Sequence, residues 1–445
     1  MLSRSLNERI TRVGPGTPAG ALLRRYWQPV ALLDELDATD RPVKAVRLLG
    51  QDFVLFRDAD GRLGLLDRDC PHRGADLAFG RLEAGGLRCL FHGWAFDVQG
   101  RCIETPGEPA GSRLHERVRQ RAYPVVARGG IAWAYVGEGD PPALPAFDCF
   151  EAPDSHVFAF KGLWACNWLQ ALEVGIDPAH ASFLHVYFED EDPTASYGRQ
   201  FRSASSDTDM PMTRVLREFN RPEIRLEKTP WGQRLLTLRA IDDARTHVRV
   251  TNTIFPQAFQ IPMSDEITIT QWHVPVDDVN TYWFTMFTSY GAPIDKPRFR
   301  DIRLATYPAP HYRPVVGRHN DWGYDPQQQR TQTYTGMGHD INIHDQWACE
   351  SQGPIQDRTR EHLGTTDRGI VAYRRMLMDA IDAVERGERP FMALSEDEAR
   401  AIVGPDTVDG VGPAQGWEDY WQGLARRRRS GAPWLARADA SPARA

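Results

Sequence analysis

From Val43 to Asp67 apolar and polar residues alternate in short runs, VKAVRLLG, QDFVLFR and LGLLD. They are broken at Gly50-Gln51 and Asp60-Gly61, the pattern of strands joined by tight turns. Upstream, the spacing over 16–28, GTPAGALLRRYWQ, predicts a short amphipathic helix. Thr17 is its cap, Pro18 lies in the first turn, and Leu22, Leu23, Tyr26 and Trp27 form the apolar side. Strand signals resume at Ala95–Asp97, Tyr123–Val126 and Ile131–Val136, which predicts a hairpin-rich, all-β module of about a hundred residues. The Pro-rich run DPPALPAF, Asp140 to Phe147, reads as a linker.

Beyond it the strand candidates are longer: Val157–Trp164, Ile224–Leu226, Leu235–Leu238, His247–Ile254, Ile267–Val274 and Tyr282–Thr288. They suggest an antiparallel sheet. From Asp340 the period becomes helical, with Ile370, Tyr373, Leu377, Ile381 and Val384 on one face. The predicted fold is α+β, a small all-β module followed by an antiparallel sheet covered by helices. The Ala-, Arg-, Ser- and Pro-rich tail after Ser430 reads as frayed, and Arg426 to Arg429 as a solvated helix end.

The chemistry concentrates between Cys70 and Phe96. Cys70 with His72, and Cys89 with His92, form two pairs separated by a polar, Gly-rich loop, each pair followed by turn residues. Two loops that each offer one thiolate and one imidazole suit a [2Fe-2S] centre with histidines on one iron, whose potential lies above that of an all-cysteine cluster. The other reading is a structural zinc site, although zinc fingers usually pair Cys with Cys and His with His. The pattern resembles the Rieske signature.

Length and charge narrow the rest. A chain of 445 residues exceeds what one core usually serves, so two domains, or one large domain with an appendage, are expected. A net charge of -7 offers no basic field for nucleic acid. With no apolar stretch of signal-peptide or membrane-spanning length, the chain reads as soluble and cytoplasmic. Cys102, Cys149, Cys166 and Cys349 show no paired spacing and read as buried free thiols.

A second metal motif follows. Asp177, His180 and His185 are spaced Asp-x-x-His-x-x-x-x-His from a Pro-marked helix start. Two imidazoles and a carboxylate make the facial triad of non-haem Fe(II). On a straight helix a five-residue step turns the second histidine about 140° away, so a helix break or π-bulge is expected here. Asp177 has a plainer reading as a helix cap before Pro178.

With both motifs in this order the chain resembles the Rieske non-haem iron oxygenases, the catalytic α subunits of ring hydroxylases and related monooxygenases, and most closely the phthalate dioxygenase branch. The stretches that carry the likeness include GPGTPAGALLRRYW, CPHRGADLAFGR, CLFHGWAFD, NWLQALEVGID and ESQGPIQDRTREHLGTTD. The resemblance implies an N-terminal helical segment over 1–40, a Rieske domain over 41–147, a catalytic domain over 148–425 and a tail over 426–445. It places the mononuclear iron on His180 and His185, with a distant third ligand that fits Asp345, five residues before Glu350. Asp340 is the rival carboxylate and His344 a neighbour. Glu173 stands where dioxygenases with separate β subunits commonly carry Asn.

The resemblance further implies electrons from a separate reductase, O2 as co-substrate, and a homotrimer or stacked trimers. In the trimer Asp177 would bridge His180 to the cluster histidine His92 of the neighbouring subunit. No flavin or nicotinamide fingerprint occurs in the chain. The leading expectation is dihydroxylation of a phthalate-like aromatic acid. A monooxygenase such as an O-demethylase, and an electron carrier without oxygenase activity, stand beside it. For a substrate carboxylate Arg202 and Arg249 are candidates, with surface exposure the alternative for each.

Overall fold

A computed structural model describes residues 1–37, 39–190, 208 and 210–435. The chain opens with two helices, Arg4–Thr11 and Pro18–Leu23. Thr17 caps the second, its hydroxyl accepting from the Gly20 amide. The helix predicted over 16–28 stops at Leu23. Pro29 disfavours helical backbone at Gln28, and the chain runs out instead as strand β1 (Gln28–Leu32).

Strands β2 (Val43–Leu48), β3 (Gln51–Arg57) and β4 (Leu63–Asp67) form the meander that the alternation predicts, turning at Leu49-Gly50 with both residues at positive φ. The unbroken run Phe53-Val54-Leu55-Phe56 has a cause. Phe53 and Leu55 enter the large core while Val54 and Phe56 enter a smaller one around Cys70, Cys89 and Trp94, so β3 is buried on both faces. Short strands β5 (Arg81–Glu83), β6 (Gly86–Arg88), β7 (Ala95–Phe96) and β8 (Cys102–Glu104) form a second sheet. One Cys/His loop precedes β5 and the other joins β6 to β7. After β9 (Ala122–Tyr123), which pairs with β4, β10 (Val125–Arg128) and β11 (Ile131–Ala134) follow. β11 lies between β10 and β1.

After β12 (Ala146–Phe147), which pairs in parallel with the late strand β20 (Val403–Gly404), a second region is built on one large antiparallel sheet. Its strands are β13 (Val157–Trp164), β14 (Glu223–Thr229), β15 (Gly232–Ala240), β16 (Arg245–Ile254), β17 (Ala258–Pro262), β18 (Ile267–Pro275) and β19 (Thr281–Ser289). They run in the order 13-19-18-17-16-15-14, and β21 (Val408–Pro413) pairs with β16. All six predicted strands lie in it. The pattern missed β17, which Pro256 and Pro262 bracket as if it were a turn, and β21, whose VDGVGP is loop-like in composition.

The two faces of this sheet differ. Leu236, Leu238, Val248 and Val250 point under the helix Trp417–Gly431, against Trp417 and Trp421. Thr237 pairs with Arg249 and Arg239 with His247, so these four share the opposite, inner face. Across that inner face lies the helix Trp168–Ile176. A Cβ on its Gly175 would sit 2.0 Å from the Phe259 ring, so only glycine permits this approach.

The helix Arg368–Glu385 buries Ile370, Tyr373, Leu377 and Ile381, as its period predicts. The Arg426–Arg429 run departs from a solvated helix end. Arg426 and Arg427 are exposed, but Arg428 lies over the Tyr290 ring and Arg429 pairs with the buried Asp148. In the predicted tail, 436–445 lie outside the described residues.

Candidate active site

The two Cys/His loops are built alike. In the first, Cys70 N–H donates to Ala75 O and Gly74 N–H to Cys70 O, both at 2.8 Å. In the second, Cys89 N–H donates to Trp94 O at 2.8 Å and Gly93 N–H to Cys89 O at 3.1 Å. Gly74 and Gly93 both turn at positive φ, 75° and 74°, a conformation that glycine adopts without strain. The loops bring His72 and His92 to a ring separation of 4.4 Å, with His72 stacked on Trp94. Cys70 and Cys89 are buried beneath them. Burial pushes the Cys70 thiol up to about 11, and Cys89 beside it adds to the rise. The Nδ1 atoms of both histidines are buried and meet no hydrogen-bond partner among the described residues. Two buried thiols beside one another and two neighbouring imidazoles with unpartnered nitrogens fit a [2Fe-2S] centre with histidines on one iron.

The second motif is positioned by a helix that is made to end. Asn167 caps the helix Trp168–Ile176, its Oδ1 accepting from Leu169 N–H at 3.1 Å. Pro178 drives Asp177 out of helical conformation, to φ -80° and ψ 112°. A four-residue turn of helix, Ala181–Leu184, then separates His180 from His185, which leaves helical geometry itself at φ -106° and ψ 20°. The expected break is therefore real, and it resolves the five-residue spacing. Asp177 is a C-cap rather than an N-cap, and its Oδ1 accepts from Ala179 N–H at 2.7 Å.

Asp345 arrives on the helix Ile341–Ser351. Gln170 ties that helix to the 168–176 helix, its Nε2 donating to Cys349 O at 2.9 Å and Gly353 O at 2.8 Å. The three donor atoms then stand close together: His180 Nε2 and His185 Nε2 are 3.3 Å apart, and Asp345 Oδ1 lies 3.6 Å and 3.2 Å from them. Adjacent ligands at about 2.1 Å from one metal ion stand about 3 Å apart, so the set fits a facial triad.

The neighbours orient the rings. The Nδ1 of His180 lies against the Asp177 carbonyl, which fixes its proton there and leaves Nε2 as the donor atom. His344 sends Nε2 to the Gly338 carbonyl at 3.1 Å and faces His185 Nδ1 with its own Nδ1 at 3.4 Å, so His185 also presents Nε2. Burial works against the Asp345 charge, but His185 and then His180 hold its carboxyl below the usual range. The rival Asp340 is spent elsewhere, as the cap of its helix and in a 2.7 Å ion pair with Arg303. Glu350 accepts from Ala165 N–H at 2.9 Å and from Trp322 Nε1 at 3.0 Å, a structural brace.

The triad opens into a cavity of about 140 Å³ whose walls include Leu216, Phe259, Ile261 and Met263. A larger cavity, about 750 Å³ and lined by Glu35 and Lys161 among others, receives none of the candidate residues. Of the two predicted arginines, Arg249 reaches the small cavity but is paired with Asp409 at 2.5 Å and donates to Pro262 O at 3.1 Å. It is therefore partnered rather than simply exposed. Arg202 lies outside the described residues. Sequence reasoning missed Arg239, which lines the cavity from β15, and Ser182, which accepts from its guanidinium. The alternation that puts Leu236 and Leu238 on one face already placed Arg239 on the other.

Comparison with known proteins agrees with this geometry. A Rieske [2Fe-2S] domain model matches 26–124, and a LigXa C-terminal-domain-like model matches 134–404. The oxygenase subunit of phthalate 4,5-dioxygenase from Pseudomonas putida is 36% identical, over 87% of this chain and 88% of its own. That of 5,5'-dehydrodivanillate O-demethylase from Sphingobium sp. is 34% identical, over 92% and 87%. The solved oxygenase–ferredoxin complex of carbazole 1,9a-dioxygenase shares the fold, with a TM-score of 0.54 at 19% identity over 84% of this chain and 93% of that one. The family carries a [2Fe-2S] cluster and a mononuclear non-haem iron, the two centres that the paired loops and the three-donor set are shaped to take. By sequence kinship over nearly its whole length, this chain belongs to the Rieske non-haem iron oxygenases, as an oxygenase subunit.

Proposed function

We propose that the chain dihydroxylates a one-ring aromatic acid, with Cys70, His72, Cys89 and His92 holding the cluster and His180, His185 and Asp345 the mononuclear iron. The observation that carries this reading is the three-donor set at the wall of a 140 Å³ cavity. An apolar cavity of about 150 Å³ accepts a benzene-sized ring. Phthalate, named for the first relative, has one ring; 5,5'-dehydrodivanillate, named for the second, has two joined rings. The volume favours the former.

When bound, the cluster supplies electrons one at a time and the iron supplies the site where O2 is activated. The chain's own part is to fix both imidazoles with Nε2 toward Asp345 and to wall the ring in with apolar side chains that exclude water. Electrons enter from outside, since the chain has no flavin or nicotinamide fingerprint, and the carbazole complex shows a ferredoxin as one such partner of an oxygenase. A cytoplasmic location accords with Cys102, Cys149, Cys166 and Cys349, all buried and in no disulfide.

A homotrimer accords with two exposed apolar groups. Phe79, Leu90 and Phe91 are exposed at or near the cluster loops, and Phe183, Phe188 and Tyr334 near His180. Head-to-tail association would cover both and bring Asp177, with its side chain one-fifth exposed, to His92 of the partner subunit. Asn at position 177 keeps an oxygen for the Ala179 amide and removes only the charge. Asp177→Asn is expected to slow coupled turnover about 10- to 100-fold with both metal centres intact. Unchanged turnover, or a wild-type protein that sediments as a monomer, would overturn the bridge.

The second reading, a monooxygenase such as an O-demethylase, is favoured by the 92% span of its named relative. Holoenzyme supplied with a ferredoxin-type reductant is to be screened against one-ring aromatic acids and aryl methyl ethers, recording O2 uptake and product. A cis-diol is the expected product. Formaldehyde or a single hydroxyl would transfer the assignment to the monooxygenase, and an electron carrier would take up no O2 with any of them.

A further inference from the structure

Each Cys/His loop is braced by an arginine that stands just before its cysteine. In the first loop Arg68 closes the base, its Nε and Nη2 donating to the two Asp76 oxygens at 2.8 Å and 2.6 Å. That is a one-to-one staple. In the second, Arg88 ends β6 directly before Cys89, and its three nitrogens go to three places. Nε donates to Glu83 on β5 at 2.6 Å, Nη2 to Glu104 on β8, and Nη1 to the carbonyl of Gly93, the residue after His92.

The contact to Gly93 fixes the turn. Its amide already donates to Cys89 O at 3.1 Å, so with Arg88 on the carbonyl both main-chain polar groups of Gly93 are tied down. His92 is thereby oriented by the protein itself. The contacts to Glu83 and Glu104 set the local charge. Arg81 also reaches Glu83, at 3.2 Å, so the two arginines and two glutamates balance as they stand. Glu104 and then Glu83 lift the Arg88 guanidinium above its ordinary value, so it stays a cation. The group adjoins Cys89 and the residue after His92, inside the about 10 Å over which charges act at 0.1 M salt. A cation there favours an added electron and an anion opposes it.

We propose that Arg88 is the positioning residue of the second loop: its guanidinium pins the turn bearing His92 to β5 and β8, and its charge, set against Glu83 and Glu104, tunes the reduction potential of the centre. This rests on the reading that Cys70, His72, Cys89 and His92 hold a [2Fe-2S] cluster, and it names a residue outside those four that governs how readily the centre takes an electron.

The test is redox titration of the holoenzyme followed by the reduced-cluster EPR signal, with loss of the cluster to a chelator timed on the same samples. Arg88→Met is expected to shift the reduction equilibrium about tenfold toward the oxidised form, about 59 mV for one electron, and to lose its cluster severalfold faster than wild type. Glu104→Gln keeps an oxygen for Nη2 and removes only the charge, so it should shift the equilibrium severalfold the other way. Arg88→Lys keeps the charge without the fork, so its potential should stay near that of wild type while its cluster is lost faster. Glu104 is 51% exposed, so its variant serves if Arg88→Met fails to fold. A bracket that only folds the hairpin would not give shifts of opposite sign. Shifts of one sign in Arg88→Met and Glu104→Gln, an unmoved potential in Glu104→Gln, or cluster loss at the wild-type rate in Arg88→Met would overturn the proposal and leave the cluster reading in place. Wild-type protein without acid-labile sulfide would sink both.

Discussion

Alanine in place of His180, His185 or Asp345 is expected to abolish substrate-dependent O2 uptake and to lower iron from about three to about two atoms per chain, with the cluster signal retained. The expectation rests on how little the surroundings can substitute. The three donor atoms stand 3.2 to 3.6 Å apart, and three neighbouring groups of the right chemistry are held elsewhere. His344 is turned to the Gly338 carbonyl, Asp340 is held by Arg303, and Glu350 braces Ala165 and Trp322. Asp345→Ala is the sharpest of the three, because it also leaves two imidazole nitrogens 3.3 Å apart with no carboxylate beside them. Retention of the cluster separates the loss from unfolding, since the Cys/His loops sit on a different sheet and core. An Asp345→Ala protein with full iron and full turnover would remove that residue from the site.

What could be read from the sequence follows how local each feature is. The Cys/His loops put both candidate ligands and the turn glycine within five residues, so spacing alone exposed them. His180 and His185 form a weaker signal, which the cluster motif upstream and the family likeness raised to candidate ligands, and the helix break between them followed from geometry. Asp345 lies 160 residues beyond His185, and only family likeness reached it. Arg239 shows the other limit. Alternation put it opposite Leu238, but which sheet face would be covered depends on the helix Trp417–Gly431, far downstream. Arg249 was found by that same alternation, yet its partner Asp409 comes from β21, a strand whose Gly- and Pro-rich sequence hides it. The helix over 16–28 was overextended because apolar spacing continued to Trp27 while Pro29 forbade the backbone to follow.

Glu173 was noticed only as a departure from related enzymes, and its place in the fold gives it the second large effect. It sits on the 168–176 helix one turn before Asp177, with its carboxylate 2.8 Å from Arg358 and 2.5 Å from Arg374. Arg374 also reaches Glu361 at 2.5 Å, and all four side chains are at most 7% exposed. The segment QDRTRE, part of the family likeness, thus delivers Arg358 and Glu361 to this buried cluster. Burial alone would raise the Glu173 carboxyl, but Arg358 and then Arg374 outweigh it and hold it below its ordinary 4.5. Glu173→Gln leaves two buried guanidinium groups short of one charge, and breaking a buried pair in this way costs about 3–5 kcal/mol. The expected result is a lower calorimetric melting temperature and, because the turn bearing His180 follows directly, weaker retention of the mononuclear iron than of the cluster. Replacing all four of Glu173, Arg358, Glu361 and Arg374 by methionine should recover part of the stability, which a loss of packing alone would not allow. The pH dependence has a definite sign. A carboxyl with a depressed folded-state pKa contributes its full stability above about pH 4.5, and that contribution is lost as pH falls through the folded value. Wild-type stability should therefore fall below about pH 4.5 more steeply than that of Glu173→Gln, the two curves converging in acid. Parallel curves, or an unchanged melting temperature at neutral pH, would show that the charges of this cluster do not hold the helix in place.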